Sequence, residues 1–118
     1  MNKFKFEKLT IWQKAMDYGE AIYQLATTFP ELEKFNLSSQ IFRASDSIAL
    51  NISEGAIGQS NAEQQKFIGY SIRSLAEVIT CLHKANRRNY ISEKQFMELY
   101  DEAYHLMNMM TAFKKNIK

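Results

Sequence analysis

The chain has 118 residues, of which 46% are hydrophobic, and its 15 basic and 13 acidic side chains leave a net charge of +2. This length suffices for one hydrophobic core, so we expect a single domain over residues 1–118. Its 4 glycines and 1 proline are few, as is typical of helical proteins. This net charge is too small to indicate a nucleic-acid partner by itself. The positive excess lies in residues 61–118, which carry 9 basic and 6 acidic groups.

The sequence indicates neither a membrane span nor a secretory signal. Its apolar runs are short, and the opening MNKFKFEKLTIW lacks the long apolar core of a signal peptide. The single cysteine, Cys81, cannot form an internal disulfide and has no second thiol at metal-ligand spacing. We therefore expect a cytoplasmic protein without a cofactor or a metal.

The first two of four predicted helices cover residues 10–28 and 38–57. Thr10 is a candidate N-cap for the first, which ends before Pro30 because proline disfavours helix at the residue that precedes it. The second helix ends at EGAIGQSN, whose two glycines favour a turn.

The third and fourth predicted helices cover residues 61–88 and 92–115. Each opens with the spacing of a capping box, Asn61 with Gln64 and Ser92 with Gln95. Both carry an apolar stripe at helical period, which predicts a core-facing side. Because the connections between successive helices are short, we predict an all-α fold, an antiparallel up-down-up-down four-helix bundle.

The apolar side of the first helix is wider than one packing contact in a bundle requires. Trp12, Met16 and Tyr23 lie beside its main stripe, and Phe42 adds an apolar side chain on the second helix. These residues either cover the end of the bundle or form a subunit interface, where aromatic residues and methionine are enriched. We favour a homo-oligomer interface made by Trp12, Met16, Tyr23 and Phe42.

A line of polar residues follows the second helix and is called the polar stripe here: Gln40, Arg43, Ser47, Asn51 and Glu54. On an ideal helix isoleucines flank it on one edge and a leucine on the other, which predicts partial burial. Ser74 and Glu77 of the third helix are candidate partners, and we expect Arg43 and Glu54 to be paired or hydrogen-bonded, with Glu77 as the counter-charge of Arg43. The stripe would act as a structural network that fixes helix register or as a ligand or partner site.

Three segments resemble the small four-helix-bundle proteins of the S23, or 23S rRNA intervening-sequence, family. They are FEKLTIWQKA, FPELEKFNLSSQIFRASDSIALNISEG and SLAE. The resemblance extends to the accessory variability determinant of diversity-generating retroelements. It implies a ring, usually a pentamer, without known enzymatic activity, that binds nucleic acid and, in the retroelement relatives, a reverse transcriptase. At two positions the chain departs from the family pattern. Phe42 stands where the family commonly has a second arginine beside Arg43, and Ala49 stands where it commonly has proline.

One side of the third helix is basic, and it is the candidate nucleic-acid surface: Lys66, Arg73, Lys84, Arg87 and Arg88. Glu77 interrupts this row. A row of cations can neutralise phosphates and release counterions, and repetition in a ring would strengthen the binding. Tyr70 and Tyr90 could add base stacking.

Enzymatic alternatives are weaker. Glu102 and His105 have the spacing of half a di-iron motif, but no second motif accompanies them and they lie away from the apolar stripe. Cys81 and His83 lie on different faces of their helix. We predict a non-enzymatic protein that associates with RNA or DNA. The alternative is a structural or adaptor ring that binds a protein partner and no nucleic acid.

Overall fold

The computed structural model describes residues 3–118, so residues 1 and 2 of the predicted domain lie outside the described part. Within residues 3–118 there is no strand, and the α-helices are α1 (Thr10–Ala26), α2 (Leu37–Ile57), α3 (Asn61–Arg87) and α4 (Glu93–Lys115). Short 3₁₀ turns at Lys5–Lys8 and Glu31–Glu33 precede α1 and α2. The all-α prediction is confirmed, and each helix end lies within two residues of its predicted position.

The four helices surround one apolar core. Each helix contacts the next along the chain, and α4 contacts α1. With 27 residues, α3 is about 40 Å long, which accounts for most of the 43 Å long dimension of the molecule. The largest fully buried side chains come from all four helices: Tyr18, Ile22, Leu37, Ile41, Ile48, Ile52, Ile68, Leu75, Leu82 and Met110.

Two polar side chains inside this core bond to the backbone of a neighbouring helix. The Tyr18 hydroxyl donates to the carbonyl of Leu99 at 3.0 Å, and the Ser71 hydroxyl donates to the carbonyl of Ile48 at 2.8 Å. Burial raises the pKa of Tyr18 well above its ordinary value of 10.0, and the nearby charge of Glu102 adds to this effect. These bonds join α1 to α4 and α2 to α3.

The helix caps agree with the sequence in one case and shift in two. Ser92 and Gln95 form the predicted capping box at the start of α4. At the start of α3 the N-cap is Ser60, whose hydroxyl accepts from the backbone N–H of Glu63 at 3.1 Å, so the predicted cap lies one residue too late. Thr10 is already inside α1, and its N-cap position is taken by Leu9, which has no capping side-chain bond.

The turn between α3 and α4 is a Schellman motif built on Asn89, which has a φ of 61°. The N–H of Tyr90 donates to the carbonyl of Ala85 at 2.9 Å, and the N–H of Asn89 donates to that of Asn86 at 3.1 Å. The motif reverses the chain at Asn89 and satisfies carbonyl groups at the end of α3.

A buried carboxylate joins this turn to the start of α2. Glu33 is only 3% exposed and accepts from the Tyr90 hydroxyl at 2.6 Å, from Arg88 Nη1 at 3.0 Å and from Asn36 Nδ2 at 3.0 Å. The Tyr90 bond, followed by those of Asn36 and Leu37 and the charge of Arg88, lowers the pKa of Glu33 below its ordinary 4.5. The same bond raises the pKa of Tyr90.

Candidate nucleic-acid interface

An open groove of about 820 Å³ runs between α3 and the end of α4, and we call it the basic groove. Four cationic residues line it, two from each helix. They are Lys66, Arg73, Lys114 and Lys115. The remaining lining residues are small, apolar or uncharged polar, and none is acidic.

Helix period places the α3 residues of the groove on one ridge. Lys66, Tyr70 and Arg73 lie at spacings of four and three residues, which are neighbouring positions on a helix surface. Lys114 comes from α4 and lies across Gly69, with its Nζ 3.9 Å from the point where a Cβ on that glycine would be. Gly69 therefore leaves room for a lysine side chain from the other helix.

The residues just after α4 hold that helix beside the start of α3. The side chain of Gln65 donates from Nε2 to the carbonyl of Ile117 at 2.8 Å, and the side-chain amide of Asn61 donates to the carbonyl of Lys118. These bonds join the first turns of α3 to the residues just after α4. They bring Lys114 and Lys115 to the same groove as Lys66.

The four cations of the groove keep their charges uncompensated. Within residues 3–118 the ion pairs are Lys34 with Glu31 and Arg88 with Glu33, so no groove cation takes part in one. Lys66 Nζ lies 5.4 Å from the centroid of the Phe67 ring, a cation–π contact that orients the lysine without neutralising it. The groove is thus a concentrated positive site on a chain of small net charge.

The structure divides the five cations predicted from the sequence into three groups. Lys66 and Arg73 line the groove, whereas Lys84 and Arg87 are exposed further along α3 and outside it. Arg88 bonds to Glu33 and is the member already paired.

Sequence reasoning missed Lys114 and Lys115, although the run FKKNIK at the end of α4 was a visible signal. Antiparallel packing of α3 and α4 would bring that run to the start of α3.

The two tyrosines considered for base stacking have different environments. Tyr90 packs against Phe29, with ring centroids 5.7 Å apart, and its hydroxyl is bonded to Glu33. Tyr70 is 39% exposed and lines the groove, while its ring meets Phe67 edge to face at 5.5 Å. Tyr70 is therefore the one of the two with a ring available at the cationic surface.

The polar stripe of α2 lies at the outer edge of the contact between α2 and α3. Gln40, Arg43 and Glu54 are exposed, as is Glu77 across the groove that it shares with Arg43. The ion pair expected between Arg43 and Glu77 does not form within residues 3–118, nor does Glu54 pair with a cation there. Leu50, the expected second apolar flank, is 60% exposed, so water reaches the stripe and solvates these charges without an ion pair.

The remaining members of the predicted network are partly or fully buried. Asn51 Nδ2 donates to the carbonyl of Ser47 at 2.9 Å, a bond within α2, and Ser74 is buried on α3. The polar network that does form uses Glu33, Arg88 and Tyr90, which lie at one end of the helices. Whether the polar stripe fixes register or binds a partner stays a prediction.

The four candidate interface residues lie on one face of α1 and α2. Met16 and Tyr23 are exposed, Trp12 and Phe42 are half-buried, and the rings of Tyr23 and Phe42 are 5.4 Å apart. Trp12 and Met16 line an apolar groove of about 460 Å³ between the two helices. Ser45 also lines it, and its buried hydroxyl has no hydrogen-bond partner within residues 3–118.

The residues considered for metal binding and catalysis are arranged as follows. Glu102 and His105 are exposed and border a pocket of about 400 Å³ between α1 and α4. Across residues 3–118, no three or more His, Cys, Asp and Glu side chains are grouped so that they could hold a metal ion. Cys81 is buried, and burial raises the pKa of its thiol. In the same range, no helix combines the length and apolar character that crossing a membrane requires.

Comparison with known proteins gives a family and a fold. The model of the family described as 23S rRNA-intervening sequence protein matches residues 7–112. No curated protein matches the sequence significantly. A crystal structure from Bacteroides thetaiotaomicron, described as a protein with unknown function from the S23 ribosomal protein family, has a similar fold, with a TM-score of 0.83. It is 22% identical, and the match covers 90% of this chain and 96% of that one.

Proposed function

Because the chain belongs to the 23S rRNA-intervening sequence protein family, we propose that it is a non-enzymatic, oligomeric protein that associates with RNA through the basic groove. The observation that carries the proposal is the meeting of four unpaired cations from α3 and α4 in one groove without an acidic lining residue. Such a site favours a polyanion, because each neutralised phosphate releases condensed counterions. Cations elsewhere on α3, Lys84 and Arg87, would extend the contact.

The proposal includes the up-down-up-down topology, since it explains how the groove arises. Two contacts support alternating helix directions. The start of α3 bonds to the residues after α4, and the end of α3 lies beside the start of α2 through Arg88 and Glu33. In this arrangement the last turns of α4 lie beside the first turns of α3.

Oligomerisation is the second part of the proposal. Trp12, Met16, Tyr23 and Phe42 present aromatic and methionine side chains on one face, and the groove beside them is mainly apolar. Such residues are enriched at protein interfaces. A ring of five copies, as the family resemblance implies, would carry five basic grooves and raise the avidity for a long RNA well above that of one groove.

A second candidate function is supported by the same apolar face. If Met16 and Tyr23 bind a different protein rather than another copy, the chain would act as an adaptor, with a reverse transcriptase or another protein as its partner. In that case the cations would chiefly maintain solubility. The two functions differ in whether the isolated protein binds RNA.

Fluorescence anisotropy with a labelled RNA across a salt series tests the proposed function. If one strand contacts the four groove cations, the association constant should fall about 50-fold between 50 and 200 mM salt. Binding that is independent of salt, or no binding by the purified protein at 50 mM salt, would contradict the proposal and favour the adaptor.

A further inference from the structure

The basic groove contains one exposed aromatic ring placed between its cations. On α3, Tyr70 lies about 6 Å along the helix axis from Lys66 and about 4.5 Å from Arg73. Lys114 reaches over Gly69 from the other side, so its charge lies next to the middle of this row. The groove thus alternates cation, ring and cation over a length of about 10 Å.

We propose that the basic groove selects single-stranded over double-stranded RNA, with an unpaired base stacked on Tyr70 and its flanking phosphates held by Lys66, Arg73 and Lys114. This rests on the proposed function, which requires only that the groove binds RNA. The combination of a cationic groove with a ring among its charges is how proteins bind single strands without reading sequence.

The reason for selectivity is the position of the bases. In a duplex the bases are stacked on one another in the interior, so a protein surface meets phosphates and 2′-hydroxyl groups, and the ring of Tyr70 finds no free base face. In a loop, bulge or end the bases are unstacked and can lie on an aromatic side chain. The cations would then hold both forms of RNA, whereas Tyr70 would add affinity for the unpaired form alone.

The contacts around Tyr70 are suited to this role. Its ring packs edge to face with the ring of Phe67, at an interplanar angle of 88°, and Phe67 is itself half-buried. This contact holds Tyr70 on one side and leaves 39% of the residue exposed. No hydrogen bond of the Tyr70 hydroxyl is present within residues 3–118, so phenylalanine should replace it without loss of a structural bond.

The test uses two labelled RNAs of equal length, an unpaired uridine-rich strand and a blunt duplex, with wild-type protein, Tyr70→Leu and Tyr70→Phe. We expect Tyr70→Leu to weaken binding of the single strand about tenfold, within the range known for loss of one stacked base. Binding of the duplex should change less than twofold, and Tyr70→Phe should match the wild type on both RNAs.

The outcomes separate this inference from the proposed function. If the wild type binds both RNAs and Tyr70→Leu weakens neither, or weakens both equally, the stacking role is wrong while RNA association stands. Wild-type protein that prefers the duplex would likewise overturn the selectivity. If the wild type binds neither RNA, the proposed function fails and the inference fails with it. Thermal unfolding of both variants distinguishes lost stacking from lost folding.

Discussion

Arg88 donates from Nη1 to the buried carboxylate of Glu33 at 3.0 Å, so a cation that the sequence places on the candidate RNA surface is held by the protein itself. The pair lies at the far end of α3 from the basic groove, next to Tyr90. It joins the segment before α2 to the turn after α3. Arg88 is therefore a structural residue first, and the groove cations Lys66, Arg73 and Lys114 are the better candidates for phosphate contact.

We predict that Glu33→Gln lowers the stability of the protein at neutral pH and makes that stability less dependent on pH. Folding lowers the pKa of Glu33, so the charged carboxylate stabilises the folded protein above about pH 4.5, the ordinary pKa of glutamate. This stabilisation is lost as the pH falls through the pKa of Glu33 in the folded protein. Melting temperatures between pH 3 and pH 7 would measure this. The gap between wild type and variant should be widest near pH 7 and should narrow towards pH 3.

The matched control for that substitution is Glu31→Gln, which changes an exposed carboxylate two residues away. Its contact with Lys34 is 4.0 Å long and solvent-exposed, so its loss should cost less than about 1 kcal/mol. If Glu33→Gln and Glu31→Gln give the same pH profile as the wild type, Glu33 does not contribute the stability that its buried bonds imply.

Replacing two helical glycines by alanine should change the stability of the protein in opposite directions. A Cβ on Gly55 would lie 2.9 Å from Cβ of Phe67 and 3.3 Å from the carbonyl of Gln64, so Gly55→Ala should force α2 and α3 apart and cost about 1–3 kcal/mol. A Cβ on Gly69 would meet only Lys114, at 3.8 Å. Gly69→Ala should therefore stabilise α3 by about 0.5–1 kcal/mol, through its higher helix propensity.

Chemical denaturation of both glycine variants would measure these changes in the free energy of unfolding. Each substitution adds one methyl group inside a helix, so each serves as the control for the other. A stabilising Gly55→Ala would mean that the close approach of α2 and α3 at Phe67 is not a feature of the folded protein.

The apolar face of α1 and α2 should determine the oligomeric state. Met16 and Tyr23 are 45% and 52% exposed, so the single chain should tolerate Met16→Glu and Tyr23→Glu, whereas buried like charges would oppose association. Light scattering after gel filtration should show a multiple of 13.8 kDa for the wild type and about 13.8 kDa for the double variant.

The control for the oligomer test is Tyr104→Glu, which changes a 59% exposed tyrosine on α4, away from that face. It should leave the mass of the wild-type oligomer unchanged. A wild type that runs as a single chain, or a double variant that keeps the wild-type mass, would show that this face does not form a subunit interface.

Helix positions could be predicted from the sequence because apolar period and caps are local signals. The stripe of Ile11, Ala15, Tyr18, Ile22 and Leu25 is buried as its period requires, and the capping box of Ser92 is present. The sequence predicts the N-cap of α3 one residue late because serine and asparagine, here Ser60 and Asn61, are both favourable N-cap residues. Backbone conformation decides between them, and Ser60 is the residue with an extended backbone.

Contacts between distant residues could not be predicted in the same way. Helical angles placed the polar stripe between apolar flanks, but exposure of Leu50 depends on which neighbour α2 packs against. The partner of Arg88 lies 55 residues earlier in the chain, and Lys114 reaches Gly69 only because α3 and α4 are side by side. Each of these relationships is a consequence of tertiary packing, which one sequence does not encode at a fixed spacing.

The most direct test of RNA association through the basic groove compares two variants of equal charge. Lys66→Ala with Lys114→Ala removes two groove cations, and Lys8→Ala with Lys14→Ala removes two exposed lysines near or on α1. Binding of a labelled single-stranded RNA is followed by anisotropy from 50 to 200 mM salt. We predict that the groove variant binds roughly tenfold more weakly at 50 mM and that its log–log salt slope falls by about 1.4. The control variant should stay within about twofold of the wild type; equal losses in both variants would show that net charge, and not the groove, holds the RNA.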